Sequence, residues 1–235
     1  MSWGPNSVLR PLIAVALLAG ASAARADILV VRSTGPSAKS YPPGRRIPES
    51  ARLVLRGGDQ LTVLDGRGTR VIRGPGAFTA GAPTAGRVAS AAPAVDRRAR
   101  IGAVRGLETG TLRPPSIWHV DVSRSSNVCV ADPARVTLWR ADPGKAATLT
   151  IAGPGGRRRQ VDWQPGSSTV AWPADLPVSE GAEYRLSGGG SPPSTIRFRA
   201  MGSRPAGLED MAQTLIRNRC DAQLDLFIDT VKLPG

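Results

Sequence analysis

From Ile117 to Arg199 apolar and polar residues alternate in short runs, the period of a strand with one buried face. "IWHVDV" sets Trp118, Val120 and Val122 against His119 and Asp121. "NVCVA", "RVTLWR", "ATLTIA", "QVDW", "STVAW", "AEYRLS" and "TIRFR" follow. The pairs Leu149/Ile151, Val161/Trp163, Val170/Trp172, Tyr184/Leu186 and Ile196/Phe198 are each spaced to face one way. Turn formers separate the runs: "ADP", "DPGK", "GPGG", "QPGSS" and "SGGGSPP". Eight short strands punctuated in this way predict an antiparallel sandwich over residues 116–200, in the manner of immunoglobulin-like domains. The tryptophans are read as core, filling the space between sheets. The alternative is an exposed aromatic strip for stacking on sugars.

Residues 27–75 carry the same period in a more glycine-rich setting. "DILVVRS" is a strand, "GPSAKSYPPGRRIP" a loop, and "ARLVLR" a strand with Leu53 and Leu55 opposite Arg52 and Arg56. "LTVLDG" and "GTRVIRG" are two more strands, with "GGDQ" and "DGRG" as hairpin turns between them. A phosphate-binding loop needs its glycines between a buried strand and a helix, whose terminal amides meet the anion. Here each glycine cluster leads into another strand, so the glycines are turn makers.

Residues 76–100, rich in Ala, Gly and Pro, read as a linker or long loop, and 101–115 as a return strand of the first domain. At the far end the period changes. In 207–232, Leu208, Met211, Ala212, Leu215 and Ile216, then Leu224, Phe227, Ile228 and Val231, recur at helical spacing. "RNRCD" breaks that pattern, and Asp221 is placed to cap a second helix.

"LRGGDQLTVLDGRGTRVIRGPG", with "RARIGAVRG" further on, resembles the FecR-like domain, a small periplasmic β-domain, over roughly residues 50–110. The resemblance implies an envelope sensor or scaffold that works through protein contacts and is not an enzyme. The cytoplasmic tail and spanning helix of the signalling members have no counterpart in this sequence, so direct signalling across the inner membrane is not expected. The fold expected overall is mostly β: a small FecR-like domain, an immunoglobulin-like sandwich and a short helical tail.

The amino terminus sets the compartment. Arg10, an apolar run from Leu12 to Ala24, and the small-x-small sequence Ala24-Arg25-Ala26 read as residues 1–26 of a signal peptide, with cleavage before Asp27. The alternative is an uncleaved anchor, for which the run is short. No later segment is long and apolar enough to span a membrane, so an exported, periplasmic or secreted chain is expected. Removing Arg10 and Arg25 with a leader that holds no acid leaves 29 basic against 18 acidic residues, a balance of +11. Such an excess attracts polyanions generally. The only tight run is Arg157-Arg158-Arg159, the candidate contact for an anionic envelope glycan or a lipid headgroup; its alternative is a solvated loop tip. No specific nucleic-acid site is expected.

Two cysteines, Cys129 and Cys220, in an oxidising compartment predict one disulfide, the alternative being two separate buried thiols. Cys129 lies opposite Val128 and Val130 on its strand, so it points away from the sandwich core, and the tail would lie against that outer face. His119, the only histidine, shares a strand face with Asp121, but no nucleophile is placed by sequence and no G-x-S-x-G elbow occurs. One histidine and two distant cysteines do not make a zinc set, and no calcium loop is present. No catalytic residue, metal or cofactor is therefore assigned. The expected function is an exported, non-enzymatic interaction, scaffold or sensory accessory module with an envelope protein partner. The alternatives are the anionic-ligand module and, third, an envelope hydrolase, which would need a pocket converging on His119 or on two acids.

Overall fold

In the computed structural model, which describes residues 1, 27–83, 113–202 and 205–232, the chain is mostly β with two carboxyl-terminal helices. The signal-peptide reading, most of the 76–100 linker and nearly all of the 101–115 return strand lie outside the described residues.

The run "ILVV" has no polar position, and that continuity is the mark of a strand covered on both faces. It forms β1 (Asp27–Thr34). β2 (Arg46–Pro48), β4 (Gln60–Asp65) and β5 (Gly68–Arg73) join it in an antiparallel sheet of order β2-β1-β4-β5. β3 (Arg52–Leu55) leaves that sheet and pairs with β6 (Gly76–Thr79) as a separate ribbon. Ile28 and Val30 of β1, with Ile47, Leu61, Val63 and Ile72, meet Leu53 and Leu55 of the ribbon in one core. Leu29 and Val31, on the opposite face of β1, belong to a second core built by the tail.

Two details depart from the sequence reading. "GGDQ" does not close a hairpin, because β3 and β4 lie in different sheets. Gly58, at φ +84°, turns a corner between them. The Asp59 carboxylate locks that corner by accepting the N–H groups of Ser37, at 2.8 Å, and of Arg56. The stretch read as linker from residue 76 begins with β6, whose Phe78 sits opposite Leu53. "DGRG" does close the β4–β5 hairpin, with Asp65 opposite Gly68.

The eight alternating runs of the second half form β7 (His119–Asp121), β8 (Ser126–Val130), β9 (Thr137–Trp139), β10 (Ala147–Ala152), β11 (Arg158–Trp163), β12 (Thr169–Ala171), β13 (Glu183–Gly188) and β14 (Ser191–Ala200). They make sheets of order β11-β10-β13-β14-β8 and β12-β9-β7. Inward residues of both sheets, among them Leu138, Ile151, Trp163, Trp172, Leu186 and Phe198, share one core, so the unit is a sandwich. The chain changes sheet between β9 and β10, between β11 and β12 and between β12 and β13, while β10–β11 and β13–β14 are hairpins within one sheet. The Tyr184 hydroxyl donates to the Pro177 carbonyl at 2.8 Å and accepts the Ser179 N–H at 3.1 Å. A strand-borne tyrosine bonded to backbone a few residues upstream is the corner device of such sandwiches. β8 adds to the β14 edge in parallel.

The tail forms α1 (Leu208–Arg217) and α2 (Asp221–Thr230). Cys220, not Asp221, takes the N-cap position of α2, and Asp221 falls in its first turn without a side-chain capping bond. The reason is how α1 ends. Arg219 sits in the left-handed region at φ 54°, its N–H donates to the Ile216 carbonyl, and the Cys220 N–H donates to the Leu215 carbonyl. That bond pattern is a Schellman stop, which spends the intervening residues on the turn. The apolar faces of both helices meet Leu29, Val31 and Leu64 of the first unit and Cys129 and Met201 of the second. The tail is thus the shared core between two β-units. Arg46–Glu209, at 3.0 Å, Arg32–Asp225 and the bond from Thr69 N–H to the Val231 carbonyl at 3.0 Å fasten it to the first unit.

Candidate functional site

Cys129 and Cys220 are joined as a disulfide, with Cα atoms 5.9 Å apart and both residues buried in the tail's core. Cys129 lies on the outer face of β8, as its alternation with Val128 and Val130 predicts, since those two belong to the sandwich core. Beside it, buried Gln223 behaves as a one-residue strand. Its Oε1 accepts the Cys129 N–H at 2.6 Å, and its Nε2 donates to the Cys129 carbonyl at 2.9 Å and to that of Ile117 at 2.7 Å. These bonds use the backbone groups of Cys129 that face away from β14, so the β8 edge is capped at that residue. At the β5 edge the tail caps Thr69 through its backbone, the Thr69 N–H donating to the Val231 carbonyl. No described segment pairs with the outer sides of β11 and β12, nor with those of β2 and β7.

A cavity of about 420 Å³ opens between β7, β8 and α2. His119 and Asp121, read from sequence as sharing a strand face, line it together with Arg113, Arg124, Asn127 and Gln223. Much of its charge is already engaged, Arg113 by Asp229 and Asp225 by Arg32. The Ser123 hydroxyl lies in the same cavity and donates to Asp121 Oδ1 at 2.6 Å, and the Ser123 N–H reaches the same oxygen at 2.9 Å. A serine whose proton is held by a carboxylate is not activated by histidine, and His119 Nδ1 is buried without a hydrogen-bond partner. The cavity a hydrolase reading asks for is present, lined by His119 and by two acids, Asp121 and Asp225; among the described residues a serine–histidine pair is not formed in it. Trp118 is also corrected: it is 44% exposed, because it lies in the turn before β7, where strand alternation does not extend. Trp139, Trp163 and Trp172 are buried.

The arginine run is divided by the same alternation. Val161 and Trp163 of β11 face the core, so Arg159 shares their side of the strand and Arg158 takes the other, with Gln160 and Asp162. Arg159 is paired with Asp175. Arg157 is exposed just ahead of β11, and its carbonyl accepts the Gly153 N–H. The three do not converge on one site. The outward row instead brings Arg158 beside Arg185, a residue the sequence run does not contain. Both are opposite Ala152, one from each neighbouring strand.

Two other arginines hold the scaffold. Arg140, 3% exposed, donates to the carbonyls of Lys145 at 2.7 Å and Ser167 at 3.0 Å, and its guanidinium lies 5.4 Å from the Trp163 ring centroid. Arg70, buried, bonds the Asp65 carboxylate and the Ala80 carbonyl. Burial alone would raise the Asp65 pKa, but hydrogen bonds from the Arg67 N–H and from the Arg70 and Arg67 guanidinium groups outweigh it and hold the group below the usual carboxylate value. No helix among the described residues is long and apolar enough to cross a membrane. No protein-family model, curated protein or solved structure matches the chain.

Proposed function

We propose that this chain is an exported, non-enzymatic accessory protein of the cell envelope that works as an interaction or scaffold module through protein contacts. The disulfide supports an oxidising compartment such as the periplasm, and the FecR-like pattern in the first unit supports a role in sensing or scaffolding. The observation that carries the reading is the unequal treatment of strand edges. The β5 and β8 edges are capped by the tail at Thr69 and Cys129, whereas β11 and β12 have no described partner along their outer sides, as is also true of β2 and β7. An open edge of a rigid unit takes a partner's strand, whose backbone bonds supply affinity while side-chain pockets supply selectivity.

Photoreactive side chains test this. Placed at Arg157 and at Gln164, exposed positions flanking β11, they are expected to capture one and the same envelope protein in living cells. A probe at exposed Lys39, in the other unit, is expected to capture little of it. Absence of a protein adduct from both β11 positions, or equal capture from Lys39, refutes the reading.

A further inference from the structure

We propose that the outward face of the five-stranded sheet is a docking surface for an acidic polysaccharide, with a carboxylate seated above Ala152 between Arg158 and Arg185. The placement follows from register. Ala152 of β10 is opposite Arg158 of β11 on one side and Arg185 of β13 on the other. Leu149 and Ile151, Val161 and Trp163, and Tyr184 and Leu186 all enter the core, so Ala152, Arg158 and Arg185 stand together on the other face. The two arginine backbones lie two strand spacings apart, about 9.6 Å, with only a methyl group between them.

That arrangement leaves two cations unneutralised. The other arginines of this face are held by acids, Arg197 by Glu183 and Arg199 by Glu180, as is Arg159 on the opposite side by Asp175. Among the described residues neither Arg158 nor Arg185 has such a carboxylate. Asp162, on the same face of β11, accepts the Thr148 hydroxyl at 2.5 Å. Like charges side by side repel unless an anion bridges them, and the guanidinium fork fits a carboxylate with paired hydrogen bonds.

The surroundings favour a sugar chain over other polyanions. Thr150, Gln160, Ser187 and Thr195 surround the pair on this face and offer hydroxyl and amide groups to sugar hydroxyls. The exposed large apolar residues of the described chain, Val54 and Trp118 among them, belong to other strands and turns, so this face has no wedge for a bilayer. It has no aromatic platform for stacked bases either. An open, flat seat holds a single small ion weakly, and a polymer presenting many carboxylates compensates by multivalency.

The inference stands independently of the strand-addition reading. Its test uses the full mature chain with polygalacturonate, phosphatidylglycerol vesicles and inorganic phosphate as separate probes at low salt. Polygalacturonate binding is expected to fall about tenfold or more in R158Q/R185Q, the scale of losing charge-assisted bonds. In R157Q/R159Q, which removes the same charge from the two neighbours of Arg158 and leaves the pair itself in place, it is expected to change by less than about twofold. R158K/R185K, which keeps charge and loses the fork, is expected to fall between the two. Equal losses in the two Gln variants, no polygalacturonate binding by the parent chain, or tighter binding to vesicles or phosphate would overturn the proposal.

Discussion

Removing the disulfide by C129A/C220A is expected to destabilise the protein severely without unseating the tail. The bridge closes a loop with a sequence separation of 91. In the chain-entropy treatment, a loop of that length takes about 4.6 kcal/mol from the unfolded state's freedom at 25 °C. Alanine is the right replacement because Cys129 and Cys220 are 1% and 0% exposed, so a serine would add the separate cost of a buried hydroxyl. In the folded state Leu215, Leu224, Phe227 and Ile228 still bury their side chains between the two units. The expected loss is therefore about 3–4.6 kcal/mol, or a fall in Tm of about 6–18 °C for a chain of this size. Thermal melts and urea titrations of parent and variant, without reductant, read both numbers. The urea m-value is also expected to rise, because an unbridged chain expands further on unfolding. A Tm within about 2 °C of the parent and an unchanged m-value would refute the argument that the bridge acts by restricting the unfolded chain.

The buried Asp65–Arg70 pair gives a prediction with a pH signature. The folded-state pKa of Asp65 is depressed, so its stabilisation is complete above the ordinary Asp value of about 3.9 and disappears as pH falls through the folded value. In denaturant titrations from neutral to acid pH, D65N is expected to lose part of the parent's acid sensitivity, and R70M to cost about 3 kcal/mol at neutral pH by leaving a buried carboxylate short of its main partner. An R70M variant as stable as the parent would refute that assignment. At the end of α1, Arg219 holds a left-handed conformation that suits glycine. R219G is expected to raise stability by about 0.5–1 kcal/mol, read by chemical denaturation; a loss would show that the arginine side chain contributes more than its backbone costs.

The sandwich was legible because its strands bury one face each, and a period of two is the direct record of that condition. All eight runs became strands, and the outward placement of Cys129 followed from its parity with Val128 and Val130. β2 and β6 escaped for the opposite reason. "RIP" and "GAFT" are too short to show a period, and they are strands because Ile28 and Leu53 lie opposite Ile47 and Phe78 in neighbouring strands. The depth of β1 was written in "ILVV", whose lack of polar positions marks two covered faces, but what covers the second face lies about two hundred residues away in the tail. Local pattern states that a face is buried and does not name its partner. Arg140 shows the converse: at the end of "RVTLWR" it resembles any surface cation, and only the carbonyls of the loop that follows it and of a distant loop at Ser167, converging on it, make it a buried one.

The same limit governs recognition. In sequence, Arg157-Arg158-Arg159 is one dense charge, and adjacency is the only proximity a sequence displays. In a strand, adjacent residues face apart, and proximity runs across the sheet, through register. Arg159 is therefore drawn to Asp175, while Arg158 meets Arg185, twenty-seven positions on and separated from it by β12 in the other sheet. Ala152 between them is as necessary as the arginines, because a larger side chain would fill the seat and an acidic one would neutralise it. Charge count fixes the general attraction of this basic chain for polyanions. Sheet register decides where on the surface that attraction is left unspent, and that is where selectivity for one anion over another has to arise.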